Sequence, residues 1–126
     1  MDTKNVAKIF IVKEGCVLLL YTTRLQKWHL PGGHIMRNET YTEGLRREVL
    51  EETGQELDEF YLMRTKPYTR LYVGTLRANN IQLSKEHIEY KWVKISDLLN
   101  EVLCKFTHSD AKYLQLLFNN LKFTNN

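Results

Sequence analysis

Four glutamates fall within ten consecutive positions, shortly after a Gly-Gly pair. They are Glu43, Glu48, Glu51 and Glu52, in the stretch GGHIMRNETYTEGLRREVLEETGQE. On a helical wheel, Glu52 falls about 40° to one side of Glu48 and Glu51 about 60° to the other, so these three carboxylates share one face. Like charges at helical spacing repel by roughly 0.2–0.5 kcal/mol per pair. A divalent cation with several oxygen ligands would offset that repulsion, so the stripe suggests a metal site.

The same stripe has a plainer interpretation, because a charge-rich helix face is usually just solvated. Arg46 and Arg47 offset part of the negative charge. The side of the helix that we expect to meet a core carries Leu45, Val49 and Leu50. A metal site therefore needs support from residues outside this helix.

The elements that would position the stripe are predicted from hydrophobic pattern and turn residues. Strands are expected over 6–12 and 16–23 around a Glu14-Gly15 turn, over 56–68 and 69–78, and over 90–95. KWHLPGG, residues 27–33, predicts a loop because Pro31 precedes two glycines. The mixture lacks a regular βαβ rhythm and predicts an α+β fold, with two main helices flanking a mixed β-sheet.

The helices are predicted from their capping signals. The first runs from about Tyr41 to Thr53, with Thr40 and Glu43 as a capping box and Gly54 as a left-handed C-cap. A short helix over 96–103 begins with Ser96 as N-cap, and a more apolar helix covers 110–122. All elements fit one domain over residues 1–126.

Composition excludes several classes of protein. The chain has 126 residues, of which 43% are hydrophobic and 26% charged, as in ordinary globular proteins. Its formal net charge of +3 is too mild to indicate nucleic-acid binding, but it suits polyanionic small molecules. Cys16 and Cys104 lack metal-type spacing. The apolar runs are too short to span a bilayer, so we expect a cytoplasmic protein without membrane attachment.

The stretch from Gly33 to Gln55 resembles the Nudix box, G-x5-E-x7-R-E-U-x-E-E-x-G-U, where U is a bulky apolar residue. Eight of its nine specified positions match, and Gln55 departs at the last apolar position. The resemblance includes LPGG before the box and reaches KWVKISDL, so it covers most of the chain. It implies a Nudix-type α/β/α sandwich and a pyrophosphohydrolase that holds Mg²⁺ or Mn²⁺ against a diphosphate.

The resemblance also implies roles for individual residues. The metal ligands would be Glu48, Glu51, Glu52 and the backbone carbonyl of Gly32. Arg47 would fix the orientation of a glutamate by charge-assisted hydrogen bonds. The structural residues of the box would be Gly33, Glu39 and Gly54, with a water-mediated metal contact as the alternative for Glu39. The metal would bridge phosphate oxygens, acidify the attacking water and neutralise developing charge.

Nudix enzymes often take a further acidic residue from outside the box. LSKEHIEYKW, residues 83–92, offers Glu86, whose offset from Trp92 resembles that of an extra ligand or general base in several members. We prefer Glu86 as the base. His87, whose unperturbed pKa suits proton transfer near neutrality, and Glu48 are the alternatives. The same segment resembles diadenosine tetraphosphate hydrolases more weakly, because Pro31-Gly32-Gly33 stands where they have Pro-Lys-Gly.

Substrate contacts are predicted less directly. A nucleobase needs an aromatic platform, for which Trp28 and Tyr72 are candidates, with core packing as the alternative. Arg24 is a candidate for holding phosphates away from the metal. Asp110, at the start of the last predicted helix, is a candidate base-reading residue, with a plain N-cap role as the alternative.

We therefore expect a Mg²⁺- or Mn²⁺-dependent hydrolase that cleaves a nucleoside diphosphate linked to another moiety, by attack of water on phosphorus. Two rivals stay open. One is an RNA 5′-end pyrophosphohydrolase or decapping enzyme with the same chemistry. The other is a non-catalytic nucleotide sensor, against which the intact box acids argue. The partners considered are a small nucleotide, an RNA 5′ end and a second copy in a homodimer.

Overall fold

The computed structural model describes residues 2–124, whose strands form a seven-stranded mixed sheet. The strands are β1 (Asp2–Lys13), β2 (Cys16–Thr22), β3 (Lys27–His29), β4 (Gly32–Met36), β5 (Leu57–Lys66), β6 (Thr69–Leu76) and β7 (Glu89–Lys94). Their order is β3-β2-β1-β6-β5, with β4 also on β1 and β7 also on β2. The β1–β6 pair is parallel and the other pairs are antiparallel.

Two helices, α1 (Tyr41–Thr53) and α2 (Lys105–Thr124), pack on the sheet, and a 3-10 helix covers Ile95–Asn100. Alternation along β1 divides the core, since successive side chains point to opposite faces. Ile9 and Ile11 join a cluster with Leu45 of α1, whereas Phe10 joins a second cluster with Leu114 of α2. The α+β sandwich is therefore confirmed. No helix within residues 2–124 has the length and apolar character needed to cross a membrane.

The ends of α1 are as predicted. The Thr40 hydroxyl accepts a hydrogen bond from the Glu43 N–H, and the Glu43 carboxylate accepts one from the Thr40 N–H, at 3.1 and 2.9 Å. Gly54 ends the helix in the left-handed conformation, with φ of 73°. The position of α1 after the Gly-Gly pair is thus fixed by local hydrogen bonds.

Three sequence expectations about elements are wrong. The predicted loop 27–33 contains β3 and the start of β4, because β3 pairs with β2 and β4 pairs with β1. The predicted helix 96–103 is a 3-10 helix that begins one residue earlier, without a side-chain cap. The last helix begins at Lys105 rather than at 110, since the His108 N–H already donates to the Cys104 carbonyl.

The buried face of α1 also differs from expectation at one position. Leu45 and Val49 are fully buried, but Leu50 is 47% exposed. Glu52 and Thr53 are buried in its place. One of the box glutamates therefore lies inside the protein, which is a costly position for a carboxylate.

Candidate active site

A cavity of about 780 Å³ opens beside the N-terminal end of β4 and the exposed edge of α1. Four carboxylates line it, and they come from α1 and from the segment before β7: Glu48, Glu51, Glu52 and Glu86. Gly32 and Gly33 form part of its wall, and Arg24 and Lys85 bring positive charge to it. The structure thus brings the box glutamates and the predicted extra-box glutamate to one place.

Glu52 is the most deeply buried of these carboxylates, with 5% of its surface exposed. Its Oε1 accepts a hydrogen bond from the Gly32 N–H at 2.8 Å. Burial raises the pKa of Glu52 well above its ordinary value, and the charges of Glu48 and Glu86 raise it further. The charged form of Glu52 is therefore destabilised unless a cation lies nearby.

Glu48 is half-buried and projects against Gly33. A Cβ at Gly33 would lie 2.8 Å from the Glu48 Cδ and 2.9 Å from its Oε2, so only glycine leaves room for this carboxylate. Burial raises the pKa of Glu48, and the Arg47 guanidinium opposes that rise. The Glu48 carboxylate is consequently confined between a glycine and an arginine.

Arg47 links the helix to the segment before it. Its Nε and Nη2 donate to the two oxygens of Glu39 at 2.7 and 3.0 Å, and its Nη1 donates to Glu48 Oε1 at 2.9 Å. Nη2 also donates to the His34 carbonyl at 3.1 Å. These bonds lower the pKa of Glu39 and raise that of Arg47. The geometry fits the orienting role predicted for Arg47 and the structural role predicted for Glu39.

Glu86 belongs to a loop that is fastened by its neighbour His87. The His87 ring is buried, and its Nε2 lies 2.9 Å from His29 Nε2 and 3.8 Å from Glu52 Oε2. Burial lowers the pKa of His87, which favours a neutral ring. Glu86 reaches the cavity beside it, and its charge contributes to the raised pKa of both Glu48 and Glu52.

The predicted substrate-binding residues are not all at the cavity. Arg24 lines it. Trp28 lies instead against Tyr21 and the second core cluster, and Tyr72 is 6% exposed in the first core cluster. Among the residues that line this cavity in the described part of the chain, Trp28 and Tyr72 are not found, and their contact with a nucleobase stays a prediction.

Asp110 lies on the α2 face of the sheet and is 2% exposed. Among the described residues its Oδ1 has no hydrogen-bond partner, although Lys66 Nζ and Arg64 Nη1 are 3.8 and 3.9 Å away. The alternative N-cap role is wrong, because α2 begins five residues before Asp110. Burial raises the pKa of Asp110, and nearby Lys8 opposes that rise.

Sequence reasoning missed two groups at the cavity. His29 and Lys85 line it, and neither was singled out as a site residue. His29 directly precedes the LPGG segment, and Lys85 precedes Glu86, so proximity to those motifs was the available signal. Their contribution depends on the β2–β3 pairing and on the 83–88 loop, which the pattern of residues does not reveal.

The carboxylates at the cavity fit a divalent metal by their chemistry rather than by a preformed cluster. No three His, Cys, Asp or Glu side chains stand in a ready-made metal cluster within residues 2–124. Arg47 occupies one oxygen of Glu48, and the Gly32 N–H occupies one oxygen of Glu52. The chemistry nevertheless fits, because hard divalent ions take carboxylate oxygens, and crowded carboxylates with raised pKa values are stabilised by a cation.

The comparison with known proteins decides the family. Residues 2–117 match the family model described as the NUDIX domain. The chain belongs to the Nudix family. It is 31% identical over 110 residues to an 8-oxo-dGTP diphosphatase from Buchnera aphidicola subsp. Schizaphis graminum, covering 78% of this chain and 82% of that relative. The Nudix box therefore identified the family correctly.

Solved Nudix structures share the fold. A MutT structure from work on Aliivibrio salmonicida and Vibrio cholerae superposes with a TM-score of 0.77 at 18% identity, covering 86% of this chain and 94% of that one. The MutT protein of Methanosarcina mazei Go1 gives 0.66 at 27% identity, covering 87% and 91%. This Nudix chain is a hydrolase acting on phosphoric anhydride bonds in small nucleotides. The weaker resemblance to diadenosine tetraphosphate hydrolases stays a prediction.

Proposed function

We propose that this Nudix hydrolase is a Mg²⁺- or Mn²⁺-dependent nucleoside triphosphate pyrophosphohydrolase that acts on an oxidised purine deoxynucleotide. The observation that carries the proposal is the convergence of Glu48, Glu51, Glu52 and Glu86 on one cavity. The relative that is 31% identical and carries the name 8-oxo-dGTP diphosphatase supports the substrate class. Hydrolysis between the α- and β-phosphates would consume one water and release a nucleoside monophosphate and inorganic diphosphate.

The metal would be held by Glu48, Glu51, Glu52 and the Gly32 carbonyl, and it supplies a Lewis acid and an acidified water. Arg47 keeps the Glu48 carboxylate turned toward the cavity, and Glu39 holds Arg47 in turn. Arg24 and Lys85 bind the phosphates that the carboxylates would otherwise repel.

Glu86 is the general base in this proposal. The other two candidates are already engaged: Glu48 by Arg47 at 2.9 Å, and both ring nitrogens of His87 by His29 and Ser84. Glu86 borders the same cavity, and within residues 2–124 its carboxylate has no hydrogen-bond or ion-pair partner. It would accept the proton of the attacking water at a carboxylate oxygen.

Base recognition is assigned to the α2 face, where Asp110 has a buried oxygen without a hydrogen-bond partner. The hydroxyl of Thr107, one turn earlier in α2, is also buried and has no hydrogen-bond partner among the described residues. A purine edge offers donors and acceptors that such groups can pair with. Lys8 connects the two regions, since it lies opposite Gly32 in the β1–β4 pairing and its charge acts on both Asp110 and His29.

The test of the catalytic site compares wild type with Glu52→Gln on a panel of 8-oxo-dGTP, dGTP, diadenosine tetraphosphate and 5′-triphosphate RNA with Mg²⁺ or Mn²⁺. We expect 8-oxo-dGTP to be hydrolysed to 8-oxo-dGMP and inorganic diphosphate. Glu52→Gln should lose more than the roughly 10–100-fold that loss of a supporting partner costs. It should fold at least as well as wild type, because the buried charge that it removes is destabilising.

The same panel separates the rivals. Release of monophosphate-ended RNA in preference to any small nucleotide would favour the 5′-end pyrophosphohydrolase. Binding of nucleotides without product would favour the sensor. Full turnover by Glu52→Gln would contradict the metal assignment.

The base-reading role is tested with Asp110→Asn, beside Asp97→Asn on the exposed 3-10 helix as control. We expect the ratio of kcat/KM for 8-oxo-dGTP to that for dGTP to change roughly tenfold or more in Asp110→Asn and to stay unchanged in the control. A lowered Tm with an unchanged ratio would make Asp110 only a counter-charge for Lys8, Arg64 and Lys66.

A further inference from the structure

Two histidines, His29 and His87, form a hydrogen-bonded chain at the edge of the cavity. His29 Nδ1 lies 2.9 Å from the Leu30 carbonyl, which can only accept, so Nδ1 carries the hydrogen. In the neutral ring, His29 Nε2 is then an acceptor, and His87 Nε2–H donates to it at 2.9 Å. His87 Nδ1 is left to accept from the Ser84 hydroxyl at 3.3 Å. One assignment of tautomers satisfies every member of the chain.

Burial is consistent with that assignment, because it disfavours the charged ring in both cases. It lowers the pKa of His29 to about 4 and lowers that of His87. The two rings are also in contact, with centroids 4.9 Å apart. The pair is therefore a neutral hydrogen bond between a half-buried ring, His29, and a buried one, His87, whose polar atom is costly to leave unpaired.

The chain of bonds crosses between two separate parts of the molecule. His29 ends β3, whereas His87 belongs to the loop between β6 and β7, 58 residues later. The loop is tied at its start by the Gln82 N–H to the Thr53 carbonyl at 2.7 Å, and at its end by the Ile88 N–H to the Tyr21 carbonyl at 3.3 Å. Between these ties, His87 is the buried side chain of the loop and Glu86 is exposed beside it.

We propose that His29 is a positioning residue, which anchors His87 and so holds the loop that presents Glu86 and Lys85 to the cavity. The anchoring itself follows from the contacts of His29, and its catalytic consequence rests on the function proposed above. A general base must lie within hydrogen-bond reach of the proton that it removes, and small displacements of catalytic groups are costly. When the hydrogen bond from His87 to His29 is lost, the loop can move at His87, and Glu86, the adjacent residue, moves with it.

The test uses His29→Phe, which keeps a planar ring but removes the acceptor, and His29→Gln, which offers an acceptor oxygen near the place of Nε2. Hydrogen exchange is measured by mass spectrometry on peptides covering 83–88 in protein without metal or nucleotide. We expect exchange at His87 and Ile88 to become about tenfold faster in His29→Phe, and to return toward wild type in His29→Gln.

Turnover is then measured on the same variants. We expect kcat to fall about tenfold or more in His29→Phe, KM to stay within about twofold, and His29→Gln to recover part of the loss. His87→Phe should lower kcat by a similar factor. The double variant should have a kcat no lower than that of either single variant, because both substitutions remove the same hydrogen bond. Thermal denaturation checks that each variant is folded.

Several results would overturn the proposal. Unchanged exchange over 83–88 in His29→Phe means that His29 does not anchor the loop. Faster exchange with normal kcat, where Glu86→Gln is inactive, means that anchoring does not serve catalysis. A raised KM with unchanged kcat and exchange makes His29 a direct substrate contact. If wild type cleaves no nucleotide, the proposed function fails, and hydrogen exchange alone decides whether the anchor exists.

Discussion

Gly33 shows how one absent side chain positions a reactive group. Glu48 occupies the space where a Cβ of residue 33 would lie, 2.8 Å from its Cδ. The backbone of Gly33 does not have a positive φ, so alanine there causes no backbone strain. What moves in Gly33→Ala is the end of the Glu48 side chain. We expect kcat to fall roughly 10- to 100-fold with little change in Tm, measured by steady-state kinetics and thermal denaturation.

Gly15→Ala is the matched control for that substitution. Gly15 has φ of 77° with nothing near its missing Cβ, so alanine costs roughly 1–2 kcal/mol of backbone strain but touches no site residue. This variant should lose Tm and keep its kcat. The opposite pattern, with Gly33→Ala unstable and fully active, would contradict the role given to Gly33.

For single residues, the sequence predicted which charged side chains lie at the cavity better than it predicted the positions of the aromatic ones. The spacing of Glu48, Glu51 and Glu52 on one helix fixes their common direction, which is why three carboxylates were placed at one site. Tyr72 could not be assigned in the same way, because both faces of β6 contribute to the core, so alternation along the strand does not separate a core position from a site position. His29 was missed because its partner His87 is distant in the sequence.

The contact between Glu39 and Arg47 joins two elements, the segment after β4 and the helix α1. Its hydrogen bonds lower the pKa of Glu39 below the ordinary value of 4.5. A lowered pKa means that Glu39 stabilises the fold above about pH 4.5, and that this contribution is lost as the pH falls through its folded pKa. We expect Glu39→Gln to have a lower Tm than wild type at pH 7, and the difference to shrink between pH 4.5 and 3.

Thermal denaturation from pH 7 to pH 3 checks this expectation. Glu43→Gln is the control, because glutamine also completes a capping box, and its Tm should follow that of wild type at every pH. A Tm difference for Glu39→Gln that stays constant down to pH 3 would show that the carboxylate charge is not what stabilises the contact.

The limits of α1, which local signals define, were predicted correctly, whereas β3 and the start of β4, which depend on distant pairings, were predicted as a loop. The capping box and Gly54 lie within α1 and its immediate neighbours. The sequence alone therefore predicted where α1 begins and ends. The strand β3 depends on β2 and on backbone bonds from Trp28 to residues after the 3-10 helix, which outweigh the turn signal of Pro31. Gln55, which departs from the box pattern, donates from its Nε2 to the Asn80 carbonyl at 2.7 Å and so links the end of α1 to the loop after β6.

The whole molecule combines a formal net charge of +3 with a cavity lined by four carboxylates. Four carboxylates converge where α1, β4 and the loop before β7 meet, and Arg24 and Lys85 line the same cavity. The net positive charge of the protein attracts a triphosphate at long range, but the carboxylates repel it when it reaches the cavity. That conflict would be resolved if a divalent cation bound first, as the proposed function requires.

Metal binding should therefore stabilise the fold in the absence of any nucleotide. At ten times its dissociation constant, Mg²⁺ or Mn²⁺ contributes about 1.4 kcal/mol, which raises Tm by roughly 4–7 °C for a domain of this size. Differential scanning fluorimetry with a metal titration measures this, with NaCl at equal ionic strength as the salt control. Glu52→Gln should lose most of the shift, and Glu59→Gln, exposed on β5, should keep it. An equal shift in Glu52→Gln would place the cation elsewhere, because a site that includes the buried carboxylate cannot lose it without losing affinity.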